Sequence, residues 1–222
     1  MENSTPLFRD RRHAGQVLAD QLPSYRGQPY CQVLGLARGG VPVAYEVALA
    51  LDLPLDVFVV CKLGVPGDEE LALGAIASGG VRVLNEEVLR HLRDADQILT
   101  EVTRREEIKL RRREELYRGD RIFQPVRHRT VILVDDGLAT GATMRASVRS
   151  LRLAGAERCI VAVPVAAPDT CRAFEAQADD IFCARTPKNF HGVGEFYEDF
   201  TQTTDEEVCD LLERATHRSL RV

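Results

Sequence analysis

Val131-Ile132-Leu133-Val134-Asp135-Asp136-Gly137-Leu138-Ala139-Thr140-Gly141-Ala142-Thr143-Met144 is the stretch on which the fold turns. Its first four residues are apolar and mostly β-branched, the pattern of a short strand buried on both faces. Two carboxylates follow at the strand's end, then a turn of small and hydroxyl residues. Beyond the turn, Met144, Val148 and Leu151 recur at helical spacing until Gly155 stops the run. In open α/β sheets, ligands bind where such a strand hands over to its helix. The free amides and positive dipole end of that helix suit a phosphate, and Gly141 allows close backbone approach. Thr140 and Thr143 add hydroxyl donors. Asp135 and Asp136 would repel the phosphate, so their targets are sugar hydroxyls or a divalent cation. The pattern therefore describes a sugar 5-phosphate with a diol, accompanied by Mg²⁺. Its plainer reading is an acidic strand end followed by an ordinary helix cap. A Walker A loop is absent, since the turn carries no lysine.

Outward from this stretch, strands and helices alternate. A helix is expected from near Asp10 to Leu22, with Ala14, Val17, Leu18, Gln21 and Leu22 on one face and Pro23 ending it. A strand over Gln32 to Ala37 enters Arg38-Gly39-Gly40, and a helix over Val43 to Leu51 follows. Leu55 to Cys61 reads as one continuous buried strand, with Lys62 at its end. Gly64 to Gly80, dense in glycine, reads as loop and short hairpin. Asn85 can cap a long helix from Glu86 towards Tyr117, whose Arg104–Glu115 portion is a solvated run of mixed charge. After Gly155 come a strand from Cys159 to Val165, a helix from Pro168 through Gln177, a short strand from Ile181 to Ala184, and a last helix from Asp205 to Ala215. The class is α/β, a parallel twisted sheet flanked by helices.

The chain has 222 residues, 29 basic against 34 acidic, and 45% apolar residues, an ordinary globular composition. Its net charge of −5 argues against bulk duplex DNA binding without excluding a local anion site. No apolar run reaches the roughly 18–20 residues of a membrane span, and the N-terminus lacks a signal-peptide pattern, so the expected compartment is the cytoplasm. Six cysteines without a C-x-x-C pair read as reduced core thiols, and five scattered histidines argue against a protein-built zinc site.

The central stretch, an apolar run with two acids and then T-G-x-T, closely resembles the PRPP-binding motif of type I phosphoribosyltransferases. The similarity runs from Phe8–Leu22 to the final helix and looks closest to stand-alone bacterial phosphoribosyltransferase-like proteins. It implies a single domain over residues 1–222 that transfers the phosphoribosyl group of PRPP to a nitrogenous acceptor and releases pyrophosphate. Asp135 and Asp136 would then hold the ribose hydroxyls, with Mg²⁺ carried mainly by PRPP near them. Ala139, Thr140, Gly141, Ala142 and Thr143 would wrap the 5-phosphate. Arg38, Gly39 and Gly40 would form the pyrophosphate loop, with Lys62 reaching the same sheet edge. Taken alone, Arg-Gly-Gly after a strand is as readily a tight turn as an anion nest.

The resemblance also implies a hood over the base, expected at about residues 185–205, with Lys188, Phe190, Phe196 and Tyr197 as acceptor-site candidates. A packed lobe with core aromatics is the competing reading. A mobile closing element is expected in either Gly64–Gly80 or Arg104–Gly119. Where enzymes for hypoxanthine and guanine carry an acid, this chain has Ala139, which argues against those bases unless Glu195 or Asp199 substitutes. Two alternatives remain beside transfer: a non-catalytic PRPP or nucleotide regulator, and a phosphorylase or hydrolase acting on a related substrate. The partners implied are small molecules, without nucleic acid or membrane; a homodimer stays open.

Overall fold

A computed structural model describes residues 6–119 and 121–219. Among them the chain runs α1 (Arg11–Ala19), a 3₁₀ turn (Pro23–Tyr25), β1 (Cys31–Leu36), α2 (Gly40–Leu51), β2 (Leu55–Phe58), β3 (Val60–Val65), β4 (Asp68–Ala77), β5 (Val81–Leu84), α3 (Glu86–His91), α4 (Ala95–Arg118), β6 (Thr130–Val134), α5 (Ala142–Leu153), β7 (Arg158–Val165), α6 (Pro168–Phe174), β8 (Asp180–Arg185), a second 3₁₀ turn (Val193–Phe196) and α7 (Asp205–Ser219). Strands β2, β1, β6, β7 and β8 form, in that order, a parallel sheet.

Alternate residues of each central strand point to opposite faces, and both faces are buried. Val33, Ile132 and Ile160 pack against α1 and α2, while Leu34, Leu133 and Val161 pack against α5 and α6. Strand order reverses between β1 and β6, so the connections after these two strands leave towards opposite faces and open a crevice between them. No helix among the described residues is long and apolar enough to cross a membrane.

Four expectations change. The apolar run Leu55–Cys61 is two strands, because β3 turns away after Val59 and pairs with β4 rather than with β1. Lys62 consequently belongs to a separate antiparallel sheet, β3-β4-β5. The hairpin expected within Gly64–Gly80 is present, but strand takes up most of the segment and leaves little loop: Gly74 sits at φ +159°, and a Cβ there would overlap the Val83 carbonyl of β5. Its glycines allow bulges and close strand approach. Val59 and Ser78 exchange bonds at the junction of the two sheets: Val59 N donates to Ser78 Oγ (3.0 Å) and Ser78 N to Val59 O (2.9 Å).

The long helix is broken in two at Asp94, which takes a left-handed conformation, although Asn85 does cap its start. Its far end is not simply solvated. Arg118 is buried and binds Asp56, Glu114 and the Val57 carbonyl, so the expected helix is anchored at its C-terminal end. Finally, Cys171 and Cys183 form a disulfide between α6 and β8, whereas Cys31, Cys61, Cys159 and Cys209 are free.

Candidate active site

The acids stand where β6 stops pairing. Val134 closes the regular ladder with β7, but Leu138 rejoins it, donating to Val165 O (2.9 Å) and accepting from Ala167 N (3.0 Å). Asp135, Asp136 and Gly137 thus form a short excursion pinned at both ends. Asp135 Oδ1 accepts from Asp136 N (2.9 Å). Burial first, and the neighbouring Asp136 charge second, push the Asp135 carboxyl well above its ordinary 3.8. Asp136 is also raised by burial, while Arg11 opposes the shift.

Gly141 follows at φ +73°, a left-handed cap that lets the chain turn into α5. A Cβ there would lie 2.7 Å from Phe174 Cε2, so α6 backs the turn directly. Thr170 Oγ1 reinforces it by donating to Ala139 O (2.7 Å), and Arg145 Nη2 by donating to Thr140 O (2.6 Å). Arg145 N makes the helix's first bond, to Gly141 O, leaving the preceding amides of the first turn without an intrahelical acceptor. Ala139, Thr140, Ala142 and Thr143 are exposed around this helix start.

Arg38-Gly39-Gly40 is not a loop ahead of a later helix: Gly39 caps α2 and Gly40 opens it. Both glycines are set by contact with the acids. A Cβ on Gly39 would overlap Asp136 Oδ2, and one on Gly40 would sit 2.6 Å from Val134 O and 2.9 Å from Asp135 Cα. The N-terminus of α2 therefore closes directly on the carboxylate pair, while Gly141, the cap of α5, follows Asp136 five positions on in the chain. Arg38 pairs loosely with Asp205 at the start of α7 (3.8 Å), and Asp205 also accepts from Tyr117 Oη (2.6 Å). Lys62 is found elsewhere, in a cleft of about 590 Å³ between the antiparallel sheet and α5, which it shares with Thr143, Arg145 and Arg149. The cleft groups it with the helix start of α5.

The aromatic candidates divide. Phe196 and Tyr197 are 1% and 5% exposed, packed with Phe8, Ala14 and Val165, so neither ring has a face for a flat ligand. Phe190 is half-buried against Phe196 at 5.3 Å between centroids, and Lys188 is exposed. Tyr197 instead donates its hydroxyl to Asp136 O (2.6 Å). The segment does reach the acids, because a Cβ on Gly137 would overlap Val193. Asp199 is occupied by its own turn, accepting from Thr201 N (2.9 Å) and Oγ1 (2.6 Å), bonds that hold its carboxyl below 3.8.

One participant escaped sequence reasoning. Arg11, the first residue of α1, donates to Asp136 Oδ2 through Nε (2.9 Å) and lies 2.8 Å from it through Nη2. The available signal was its place three residues before Ala14 and seven before Leu18, on the helix's buried stripe. Among the described residues, no cluster of three acidic, histidine or cysteine side chains could hold a metal ion alone.

The profile of the phosphoribosyl transferase domain family matches residues 12–201. Two Mycobacterium tuberculosis proteins provisionally named phosphoribosyl transferases, MT0597 (strain CDC 1551 / Oshkosh) and Rv0571c (strain ATCC 25618 / H37Rv), are each 47% identical to this chain over 212 residues. The match covers 96% of this chain and 47% of theirs, so the chain spans about half the length of these relatives. The crystal structure of TT1426 from Thermus thermophilus superposes with a TM-score of 0.83 at 43% identity, covering 93% of this chain and 98% of that one.

Proposed function

The chain belongs to the phosphoribosyl transferase domain family, and from that premise we propose that it transfers the 5-phosphoribosyl group of PRPP to a nitrogenous acceptor, releasing pyrophosphate. The observation that carries this reading is the contact of the α2 N-terminus with Asp135 and Asp136 in the crevice between β1 and β6, the α5 N-terminus following the same two acids in the chain. Two anion-seeking helix ends beside two hydroxyl-seeking carboxylates match a sugar phosphorylated at both ends.

In this assignment, amides and hydroxyls of Ala139–Thr143 hold the 5-phosphate, and Lys62 adds a cation from across the cleft it shares with Thr143. Asp135 and Asp136 accept from the ribose hydroxyls. The Gly39 and Gly40 amides, with Arg38, take the pyrophosphate. During transfer, the C1–oxygen bond to pyrophosphate breaks with its electron pair leaving on oxygen. The acceptor nitrogen forms the new bond to C1 and gives up its proton. Charge grows positive on the ring and negative on the leaving group, so the chain contributes by positioning and by neutralising pyrophosphate.

Mg²⁺ enters as the companion of the diphosphate, not as a resident cofactor. Asp136 Oδ2 is committed to Arg11 and Asp135 Oδ1 to a backbone amide, so the two acids do not make a metal site unaided.

Residues 185–205 serve as a small hood, with Val193 packed over Gly137. A second reading, a PRPP-binding regulator without turnover, draws on the burial of Phe196 and Tyr197, which removes two of the aromatic platforms for a base. Incubating the protein with PRPP, Mg²⁺ and a panel of bases while following pyrophosphate separates the two. Pyrophosphate release dependent on one base establishes transfer. Tight PRPP binding without release establishes the regulator, and no PRPP binding rejects both.

A further inference from the structure

The two acids differ in how they are held. Arg11 spends two donors, Nε and Nη2, on a single oxygen of Asp136, Oδ2. The usual Arg–carboxylate fork takes one oxygen with each arm and leaves neither free. Here the rest of the guanidinium is fixed independently: Nη1 donates to Thr201 O (2.7 Å), and Cζ lies 4.0 Å above the centre of the Phe200 ring. Its side chain is only 11% exposed. Tyr197 Oη holds the Asp136 carbonyl from the same direction, and its ring packs against Phe200 at 5.0 Å. Gly39 also closes on Oδ2, and a Cβ there would come within 3.3 Å of Arg11 Nε.

We propose that Arg11 is a positioning residue for Asp136, fixing one carboxylate oxygen so that the other is presented, ionised and correctly aimed, to a sugar hydroxyl. This rests on the reading that the acid pair holds a ribose. A buried carboxylate beside a second acid would otherwise tend to take up a proton, and a protonated acid donates where the sugar needs an acceptor. Arg11 opposes that, and the single-oxygen geometry keeps Oδ1 available. The same contact makes the first helix and the segment before α7 jointly responsible for sugar recognition. Their residues 11, 197, 200 and 201 meet around Asp136 although 186 or more positions separate residue 11 from the others.

The test separates sugar recognition from phosphate binding. Isothermal titration compares ribose 5-phosphate with 2-deoxyribose and 3-deoxyribose 5-phosphates and with inorganic phosphate, in wild type, Arg11→Gln and Arg11→Lys. Wild type is expected to favour ribose 5-phosphate over at least one deoxy sugar by about 10–100-fold, the worth of a hydrogen bond to a charged acceptor. In Arg11→Gln that preference collapses to within about threefold, by the same hydrogen-bond reasoning, while inorganic phosphate binds as in wild type. Arg11→Lys keeps the cation but loses the paired donors, so it loses the preference partly; it carries the test should Arg11→Gln fail to fold. A folded variant that keeps the full preference overturns the role of Arg11 and leaves the ribose reading intact. Wild type with no preference for ribose overturns the ribose reading itself.

Discussion

Gly40→Ala is the sharpest probe of the close approach of α2 to the acid pair. The new Cβ would stand 2.6 Å from Val134 O, where ordinary contact begins at 3.4 Å, so 3.4 − 2.6 = 0.8 Å of room must be found. Its next neighbour, Asp135 Cα at 2.9 Å, is backbone too. Val134 closes a strand hydrogen-bonded on both sides, to β1 and β7, so the start of α2 must give way. Overpacking of this kind costs roughly 1–3 kcal/mol, and alanine's better helix preference returns at most about 1 kcal/mol. The net is a loss. At about 2–4 °C per kcal/mol for a chain of this size, the melting temperature should fall by several degrees. Function should suffer more, because displacing a binding group by about 1 Å can cost roughly 10²-fold. Differential scanning fluorimetry and titration with PRPP read the two effects separately. Gly192→Ala is the control: its backbone is extended at φ −173° and nothing lies within 4 Å of a Cβ there, so both quantities should stay put. If Gly40→Ala keeps its melting temperature within a degree and its PRPP affinity within about twofold, against that 10²-fold expectation, the close approach of α2 to the acids is not what builds the site.

Asp135→Asn should abolish PRPP binding yet raise the melting temperature near neutral pH. The folded-state pKa of Asp135 lies above 3.8, so between the two values the folded protein holds a proton that the unfolded chain has released, and stability falls as pH rises through that window. The thermal advantage of Asp135→Asn should therefore shrink as pH drops towards 4; an advantage that grows on acidification would contradict the assignment. Gly141→Ala adds a left-handed alanine, at about 1–2 kcal/mol, to a clash with Phe174, so inorganic phosphate and PRPP should both bind at least tenfold more weakly. Unaltered phosphate affinity would move the 5-phosphate away from α5. Hypoxanthine and guanine should be poor acceptors, since Ala139 supplies none of the ~10²–10⁴-fold that acid–base assistance gives, and Asp199 is tied to Thr201. Steady-state comparison of bases tests this, and brisk turnover of either would refute it.

The sequence announces the parallel sheet because β1, β6 and β7 are apolar on both faces and each is followed by its helix. The phosphate turn is equally legible, since Gly141 and its hydroxyl neighbours are local features. What depends on distant partners is not. An apolar run carries no mark of where the chain changes sheets, so the break at Val59 is invisible until β4 supplies a different pairing edge. Glycine density in residues 64–80 points to loop beside the short hairpin, where cross-strand approach at Gly74 is one reason for it. For Phe196 and Tyr197 the sequence leaves base platform and packed lobe both open, and the lobe wins because Phe8, nearly the whole chain away, joins Phe190 and Phe200 in covering them. Arg11 was passed over since an arginine at a helix start is usually solvated, and only the fold brings Asp136 within reach. A separation of twelve positions between Cys171 and Cys183 equally gives no hint that α6 and β8 lie side by side.

The single-residue passage at Val59 gives the molecule a modular seam. Residues 60–84 contribute no rung to the five-stranded sheet, yet they carry Lys62 and one wall of the cleft beside Thr143. Val59 and Ser78 fasten this unit at its base, and Cys61, Leu63, Leu73 and Ile76 pack one of its faces against α4, which leaves the opposite face, with Lys62, Ala72 and Val83, turned to the cleft. Diversification and laboratory redesign thereby acquire a natural grafting point. The cleft-facing side chains can change there while the machinery grouped around β1 and β6 keeps its register.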